Sequence, residues 1–252
     1  MCSSDLSDAR FHLKPGEVRI ESIAHACFRI HSAGGSRILI DPHASRVWLG
    51  YDFPEELATD AILITHPTTI TTAASSSAGR CRGRRKSGCC ATREATQWAT
   101  STLQVSVGST PIGGASEFGQ KNNGLAVEVS ELRIAHSGDN GPLTESNVRE
   151  LGGVDILMMP IDAREHILKR DEIQAIRRAA RPRVLIPMHY RHPDLESSED
   201  SPHGLGPIDP WLAGKKSVTR LKSNYALFTT GSLKSGERIV VFQHSPKVRA
   251  KV

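Results

Sequence analysis

Short apolar runs separated by polar breaks dominate the chain, and their spacing predicts strands more often than helices. Residues 18–30 and 37–40 read as strands on either side of a Gly34-Gly35 turn, and Asp41-Pro42 closes the second. Residues 61–65 form a continuous run, Ala-Ile-Leu-Ile-Thr, of the kind that suits a strand buried on both faces. Another strand is expected at 103–107. Residues 125–129 and 132–135 then form a hairpin that ends at His136-Ser137-Gly138-Asp139. Thr144 is placed to cap a short helix that stops at Gly152-Gly153. A strand follows at 154–159. Asp171 is expected to cap a helix running to Ala180, with Ile173, Ile176 and Ala180 on one face. Residues 184–186 lead into Pro187-Met188-His189-Tyr190, and strands at 225–228 and 238–242 finish the pattern. No internal repeat is evident.

One stretch breaks the pattern. Residues 71–97 contain no Leu, Ile, Val, Met, Phe, Tyr or Trp, and hold three of the five cysteines, Cys81, Cys89 and Cys90. Such a stretch has no apolar surface to bury and reads as a disordered loop, yet it directly follows a buried strand in mid-domain. The genetic code supplies an explanation. If the third base of each codon from Pro67 to Thr72 is taken as the first base of the next, the shifted codons can spell His-x-Asp-His after His66-Pro67. The expectation is a frameshift that begins near Pro67 and ends near Thr92, which makes residues 68–92 anomalous. The opening Cys2-Ser3-Ser4-Asp5-Leu6 looks like a translated sequencing adapter, so residues 1–16 are read as a flexible or artefactual N-terminus.

Composition narrows the function classes. The chain has 252 residues, 38% of them hydrophobic, enough for a sizeable core. No apolar run reaches the length of a membrane span, and the first residues lack a secretory pattern. Five unevenly clustered cysteines do not suggest a disulfide framework, so a cytoplasmic location is expected. A net charge of +5 invites a nucleic-acid partner. However, six of the cations (Arg80, Arg82, Arg84, Arg85, Lys86 and Arg93) lie in the stretch from Ala61 to Arg93, which has no acidic residue. Without them, 26 basic residues face 27 acidic ones. Nucleic acid is therefore disfavoured and a small-molecule substrate preferred. The competing reading is a catalytically dead pseudo-enzyme or binding protein that uses residues 80–93 to contact anionic partners.

The candidate chemistry lies just past predicted strand ends, at His66, Asp139 and His189. Imidazole and carboxylate together suit a borderline divalent ion, zinc first, with manganese or iron as alternatives. Three further histidines each allow two readings. His25, in a strand-end loop of the opening hairpin, could line the site, with a structural hydrogen bond the favoured reading. His136 could orient the Asp139 carboxylate or be a plain strand-end residue. His166 could touch substrate, with solvent exposure favoured. The three clustered cysteines lack a second Cys-x-x-Cys and do not make a metal cluster.

In their order, Ile64-Thr65-His66-Pro67, His136-Ser137-Gly138-Asp139 and Ile186-Pro187-Met188-His189-Tyr190 resemble the metallo-β-lactamase superfamily. The likeness is nearest to the branch of L-ascorbate-6-phosphate lactonase and related zinc-dependent hydrolases. Ile23-Ala24-His25-Ala26-Cys27-Phe28 and Ile38-Leu39-Ile40-Asp41-Pro42 match that branch's opening hairpin. The resemblance implies an α/β (α+β) fold, a four-layer αββα sandwich formed as a single domain over residues 17–252. It implies His66 as the first ligand of a His-x-His-x-Asp-His motif, Asp139 as a carboxylate bridging two metals, and His189 as the last ligand. It further implies hydrolysis of a lactone, ester or phosphodiester by a water whose pKa one or two zinc ions lower towards about 7. Thr68, Ile70 and Thr71 stand where the second His, the Asp and the third His belong, and none can replace them as a zinc ligand. The activity of this chain is accordingly expected to be impaired.

Overall fold

The computed structural model describes residues 12–42, 51–54, 57–65, 90–91, 98–100, 103–106, 124–138, 151–161, 168–191 and 205–250. Within them the strands are β1 (Val18–Ala24), β2 (Cys27–Ser32), β3 (Arg37–Ile40), β4 (Tyr51–Asp52), β5 (Ala61–Leu63), β6 (Cys90–Ala91), β7 (Trp98–Thr100) and β8 (Leu103–Ser106). They continue with β9 (Leu125–Val129), β10 (Leu132–His136), β11 (Ile156–Pro160), β12 (Val184–Met188), β13 (Val218–Arg220), β14 (Tyr225–Phe228), β15 (Arg238–Val241) and β16 (Arg249–Ala250). Helices α1 (Arg170–Ala180) and α2 (Asp209–Leu212) and a 3-10 turn (Thr230–Ser232) complete the set.

Two mixed sheets pack face to face. The first has the order β14-β1-β2-β3-β5-β6 and the second β13-β15-β12-β11-β10-β9-β8-β7, while β16 and β4 pair separately. The period-2 alternation of the strands builds the layer between them. Val18, Ile20, Phe28, Ile30, Ile38, Ile40 and Leu63 from the first sheet meet Leu132, Ile134, Ile156, Met158, Val184 and Ile186 from the second. On the outer face of the second sheet, Leu157, Met159, Leu185 and Ile239 pack against Ile173, Ile176 and Ala180 of α1. Those three α1 residues are the stripe expected from the sequence. Ile23, Cys27, Leu39 and Ile62 cover the outer face of the first sheet together with Phe53, Leu57 and Val248.

Three local differences from the sequence pattern have physical causes. The strand expected over 18–30 is broken at His25-Ala26, where His25 takes a left-handed φ of 56° and the chain reverses into β2. Helix α1 starts after Lys169 rather than at Asp171, because the Glu172 carboxylate accepts the Lys169 backbone N–H at 2.7 Å and caps from inside the first turn. Cys90–Ala91 falls in the stretch expected to lack structure, yet it pairs in parallel with Ile62 and Leu63. Ladder pairing uses only the backbone, so an apolar side chain is not required. The helix expected after Thr144 lies outside the described residues, except for Leu151 and the Gly152-Gly153 turn.

The outer face of β1 and β2 carries a buried charge network. Arg29 donates to Glu21 through Nε at 3.0 Å and through a terminal nitrogen at 2.8 Å. His31 Nε2 lies 3.6 Å from the same carboxylate, and Asn224 donates to its other oxygen at 3.2 Å. Burial alone would raise the Glu21 carboxyl; the His31 ring and the Arg29 and Arg19 guanidiniums outweigh it and bring its pKa down to about 2. Burial lowers the His31 pKa. Both folded-state values lie below their ordinary ones, so this stability is present at neutral pH and is lost on acidification. His31 contributes to the loss below about pH 6.5 and Glu21 between about 4.5 and 2. The Glu21 part is on the order of 3 kcal/mol. Urea unfolding midpoints measured from pH 6 down to pH 2.5 are expected to fall steeply below pH 4.5 and to flatten in Glu21→Gln. Equal slopes for both proteins would contradict this.

Candidate metal-binding edge

Strand direction alone brings the polar residues to one edge. In the first sheet β1 and β3 run the same way, each antiparallel to β2, and β5 is parallel to β3. Their carboxyl ends carry His25, Asp41 and Thr65. In the second sheet β10, β11 and β12 are mutually parallel, and their carboxyl ends carry Ser137-Gly138, Ile161 and His189. Hydrogen bonds join the two sets. His136 continues the inward alternation of Leu132 and Ile134, so its ring enters the space between the sheets. It lies edge-on to Phe28 with centroids 5.9 Å apart. Its Nε2 is 2.8 Å from the Ala26 carbonyl oxygen, and its Nδ1 accepts the Gly138 backbone N–H at 3.1 Å. Those partners assign the neutral tautomer with the proton on Nε2. His136 thus ties the β1–β2 turn to the backbone immediately before Asp139.

Asp41 plays the matching part in the first sheet. It is 2% exposed and takes a left-handed φ of 45°. Its Oδ1 accepts the Thr65 backbone N–H at 2.8 Å, and its Oδ2 accepts the Thr65 hydroxyl at 2.7 Å. The same Oδ2 lies 3.8 Å from His136 Nδ1. The carboxylate therefore fixes Thr65 and faces the His136–Gly138 clamp. In the sequence Asp41 reads as a strand terminator within the opening hairpin. The local signal for this role is an acid directly after an apolar strand, at the same sheet end as Thr65.

His189 is 6% exposed, at a left-handed φ of 60°. Its backbone N–H points to the His25 carbonyl oxygen at 3.5 Å, and the two imidazole rings have centroids 3.9 Å apart with planes tilted by 45°. Non-glycine residues in left-handed backbone cluster where a site imposes its own geometry, and His25, Asp41 and His189 all do so here. Next to His189, burial pushes the Tyr190 phenol up to about 12, so it stays protonated at ordinary pH. Burial, followed by the Asp41 charge, pushes the Cys27 thiol well up, so it is no nucleophile at neutral pH.

Of the ligands proposed from the sequence, the structure places His189 at this edge. His66, Asp139 and His166 lie outside the described residues, as do Thr68, Ile70 and Thr71. Among the described residues alone, no three of His, Cys, Asp and Glu are grouped to hold a metal. Of the donors implied by the sequence the structure describes His189 alone, and by residue type the set suits one ion rather than two. His189 and the residues directly after Thr65 and Gly138 are two imidazoles and a carboxylate, whereas the first-motif positions for another ion hold two threonines and an isoleucine.

Replacing Asp41 by Asn should test the coupling between scaffold and site. Asn keeps one acceptor but loses the charge-assisted bonds to Thr65. Expected are a stability loss of about 1.5–3 kcal/mol by urea unfolding and a zinc affinity weakened about 10- to 100-fold by calorimetry. Unchanged zinc affinity at reduced stability would make Asp41 a purely structural residue.

Comparison with known proteins agrees with this architecture. A Zn-dependent hydrolase of the metallo-beta-lactamase superfamily from Thermotoga maritima, so described, superposes with a TM-score of 0.64 at 20% identity, covering 90% of this chain and 99% of the other. The metallo-beta-lactamase fold protein YhfI from Bacillus subtilis gives 0.51 at 10% identity, covering 92% and 99%. An isothiocyanate hydrolase from Delia radicum gut bacteria gives 0.51 at 16% identity, covering 71% and 88%. At these identities the structures establish the fold. No described helix is long and apolar enough to cross a membrane. The Beta-lactamase superfamily domain matches residues 19–189, more than half of the chain, and the protein belongs to that family.

Proposed function

We propose that the chain is a metal-dependent hydrolase of the lactonase-like branch, acting on a lactone, ester or phosphodiester, and impaired as it stands. The observation that carries this reading is the meeting of strand ends at one edge, where Thr65, Gly138 and His189 are tied together through Asp41, His136 and His25. His66, Asp139 and His189 would hold one ion, zinc in preference to manganese or iron. When bound, such an ion polarises the scissile carbonyl or phosphoryl oxygen and acidifies a water.

The remaining roles belong to the chain. Asp41 and Thr65 orient the loop that carries His66. His136 holds the backbone that carries Asp139 and, as a neutral ring with both nitrogens engaged, is a positioning residue. His25 packs against the His189 ring. In the family pattern an Asp at position 70 would orient the attacking water; Ile70 has no acceptor for it. The impairment follows from that position and from Thr68 and Thr71. We attribute all three to a shifted reading frame over residues 67–92 within a single domain spanning 17–252, with a small-molecule substrate and a cytoplasmic location.

Zinc content by mass spectrometry, paired with turnover on lactone, ester and phosphodiester panels, tests the proposal. About one zinc or less per chain with slow turnover is expected, and His189→Asn should lose the zinc. Two zinc ions with fast hydrolysis would refute the impairment. No zinc uptake at all would refute the metal reading. Codons 66–93 of the source DNA test the frameshift, which fails if they cannot encode His-x-Asp-His in the shifted frame.

A further inference from the structure

We infer that the outer face of the first sheet carries a binding site for a small oxyanion of the phosphate type, seated over Arg19, His31 and Arg37. The strand registers put these side chains abreast. Arg19 of β1 lies opposite His31 of β2, and His31 lies opposite Arg37 of β3. All three alternate with the inward-facing Val18, Ile30 and Ile38, so they share the outer face. They line a cavity of about 230 Å³ together with His12, Leu13 and the turn at Gly35. That is below the roughly 300 Å³ at which pockets for drug-sized ligands begin, so a small ion suits it. The row sits at the amino ends of β1 and β3, whereas the candidate metal edge lies past their carboxyl ends. The anion site therefore does not rest on the metal reading.

The chemistry of the row selects an anion. Arg19 and Arg37 each bring a planar fork of N–H donors that matches an oxyanion and cannot be deprotonated. Arg19 is held in place: its side chain is 7% exposed, and its guanidinium lies 4.3 Å from the centre of the Tyr225 ring. A cation so far withdrawn from water attracts an anion more strongly than a solvated one. Between the two arginines, burial lowers the His31 pKa, so at neutral pH its ring is uncharged and offers one N–H. Among the described residues His31 Nε2 is buried without a hydrogen-bond partner, the Glu21 carboxylate being 3.6 Å away. Glu21 itself is engaged by two bonds from Arg29. Asp60 accepts the Arg37 backbone N–H at 2.8 Å. Its side-chain pair with Arg37, at 3.4 Å and with the partners 30% and 45% exposed, is weak enough for the Arg37 fork to swing to an oxyanion. Positive groups abreast on neighbouring strands repel one another, and an oxyanion between them replaces that repulsion by attraction.

Inorganic phosphate titrated calorimetrically into the full chain tests the site, with sodium chloride at equal ionic strength as the control for screening. The parent is expected to bind phosphate and not chloride. Arg37→Gln keeps the Asp60 bond to the backbone and should bind phosphate at least about tenfold more weakly, with an unchanged circular dichroism spectrum. His189→Asn, beyond the other end of β1, should bind phosphate like the parent. A further measurement needs no variant: in nitrogen-15 NMR of the parent, the His31 ring signals should shift with phosphate and stay in place with chloride. Methyl phosphate that moves the same signals would extend the ligand to phosphomonoesters, and a response to phosphate alone would restrict it to the free ion. Three results would each overturn the inference: no phosphate binding at millimolar concentration, His31 signals that do not move, or binding lost in His189→Asn and kept in Arg37→Gln.

Discussion

Exchanging Thr68→His, Ile70→Asp and Thr71→His together should give this chain a second bound ion and raise its hydrolytic turnover by at least about 100-fold. The present side chains explain the size of the effect. Threonine and isoleucine offer no imidazole or carboxylate to a zinc ion, so the first-motif site retains His66 alone of its four family donors. The scaffold next to that site is intact. Asp41 bonds both the backbone and the hydroxyl of Thr65, so the chain enters His66 from a fixed, buried position. Donors added after such an anchor pay little ordering entropy. Zinc stoichiometry and turnover, compared with a triple alanine control at the same positions, read the result. Equal metal content in the restored and control proteins would show that the loss at residues 68, 70 and 71 is not what limits the site.

The second large effect lies away from the site. Arg29→Met should destabilise the fold by about 3–5 kcal/mol, because it takes two charge-assisted hydrogen bonds from a buried carboxylate and leaves the nearest guanidinium, Arg19, at 3.7 Å. The Arg29 side chain is only 3% exposed and the Glu21 side chain 8%. Arg29 gives Glu21 two hydrogen bonds and reaches the Ala58 carbonyl oxygen at 3.2 Å, pinning the loop before β5. At 2–4 °C per kcal/mol for a chain of this size, the melting temperature should fall by roughly 6–20 °C. Combining Arg29→Met with Glu21→Leu should recover most of the loss, since a buried pair replaced by apolar groups is often neutral. A double variant no better than the single one would place the cost in the lost Ala58 contact and not in the weakened pairing of the Glu21 charge.

Much of the sandwich was legible in the sequence because its strands alternate or run apolar. Residues 125–129 and 225–228 appear as strands with the expected bounds, and 238–242 is shorter by one residue. The break at His25-Ala26 was not legible: the turn has no Gly, Pro, Asn or Asp to mark it and is flanked by buried Ala24 and Cys27. Short strands such as β4, β13 and β16 depend on partners distant in sequence and have no local periodicity. The site shows the same division. Polar residues just past apolar runs pointed to His66, Asp139 and His189, of which His189 lies among the described residues. The role of Asp41 depends on Thr65, 24 residues away, and the contact between His25 and His189 depends on two sheets meeting. Neither relation leaves a local pattern.

Crystals of the zinc-loaded chain, measured on both sides of the zinc absorption edge, put the central claim to its most direct test. One anomalous peak should lie past the carboxyl ends of β5, β10 and β12, within bonding distance of His66, Asp139 and His189. Those three side chains pointing to separate surfaces, with zinc elsewhere or nowhere, would contradict it.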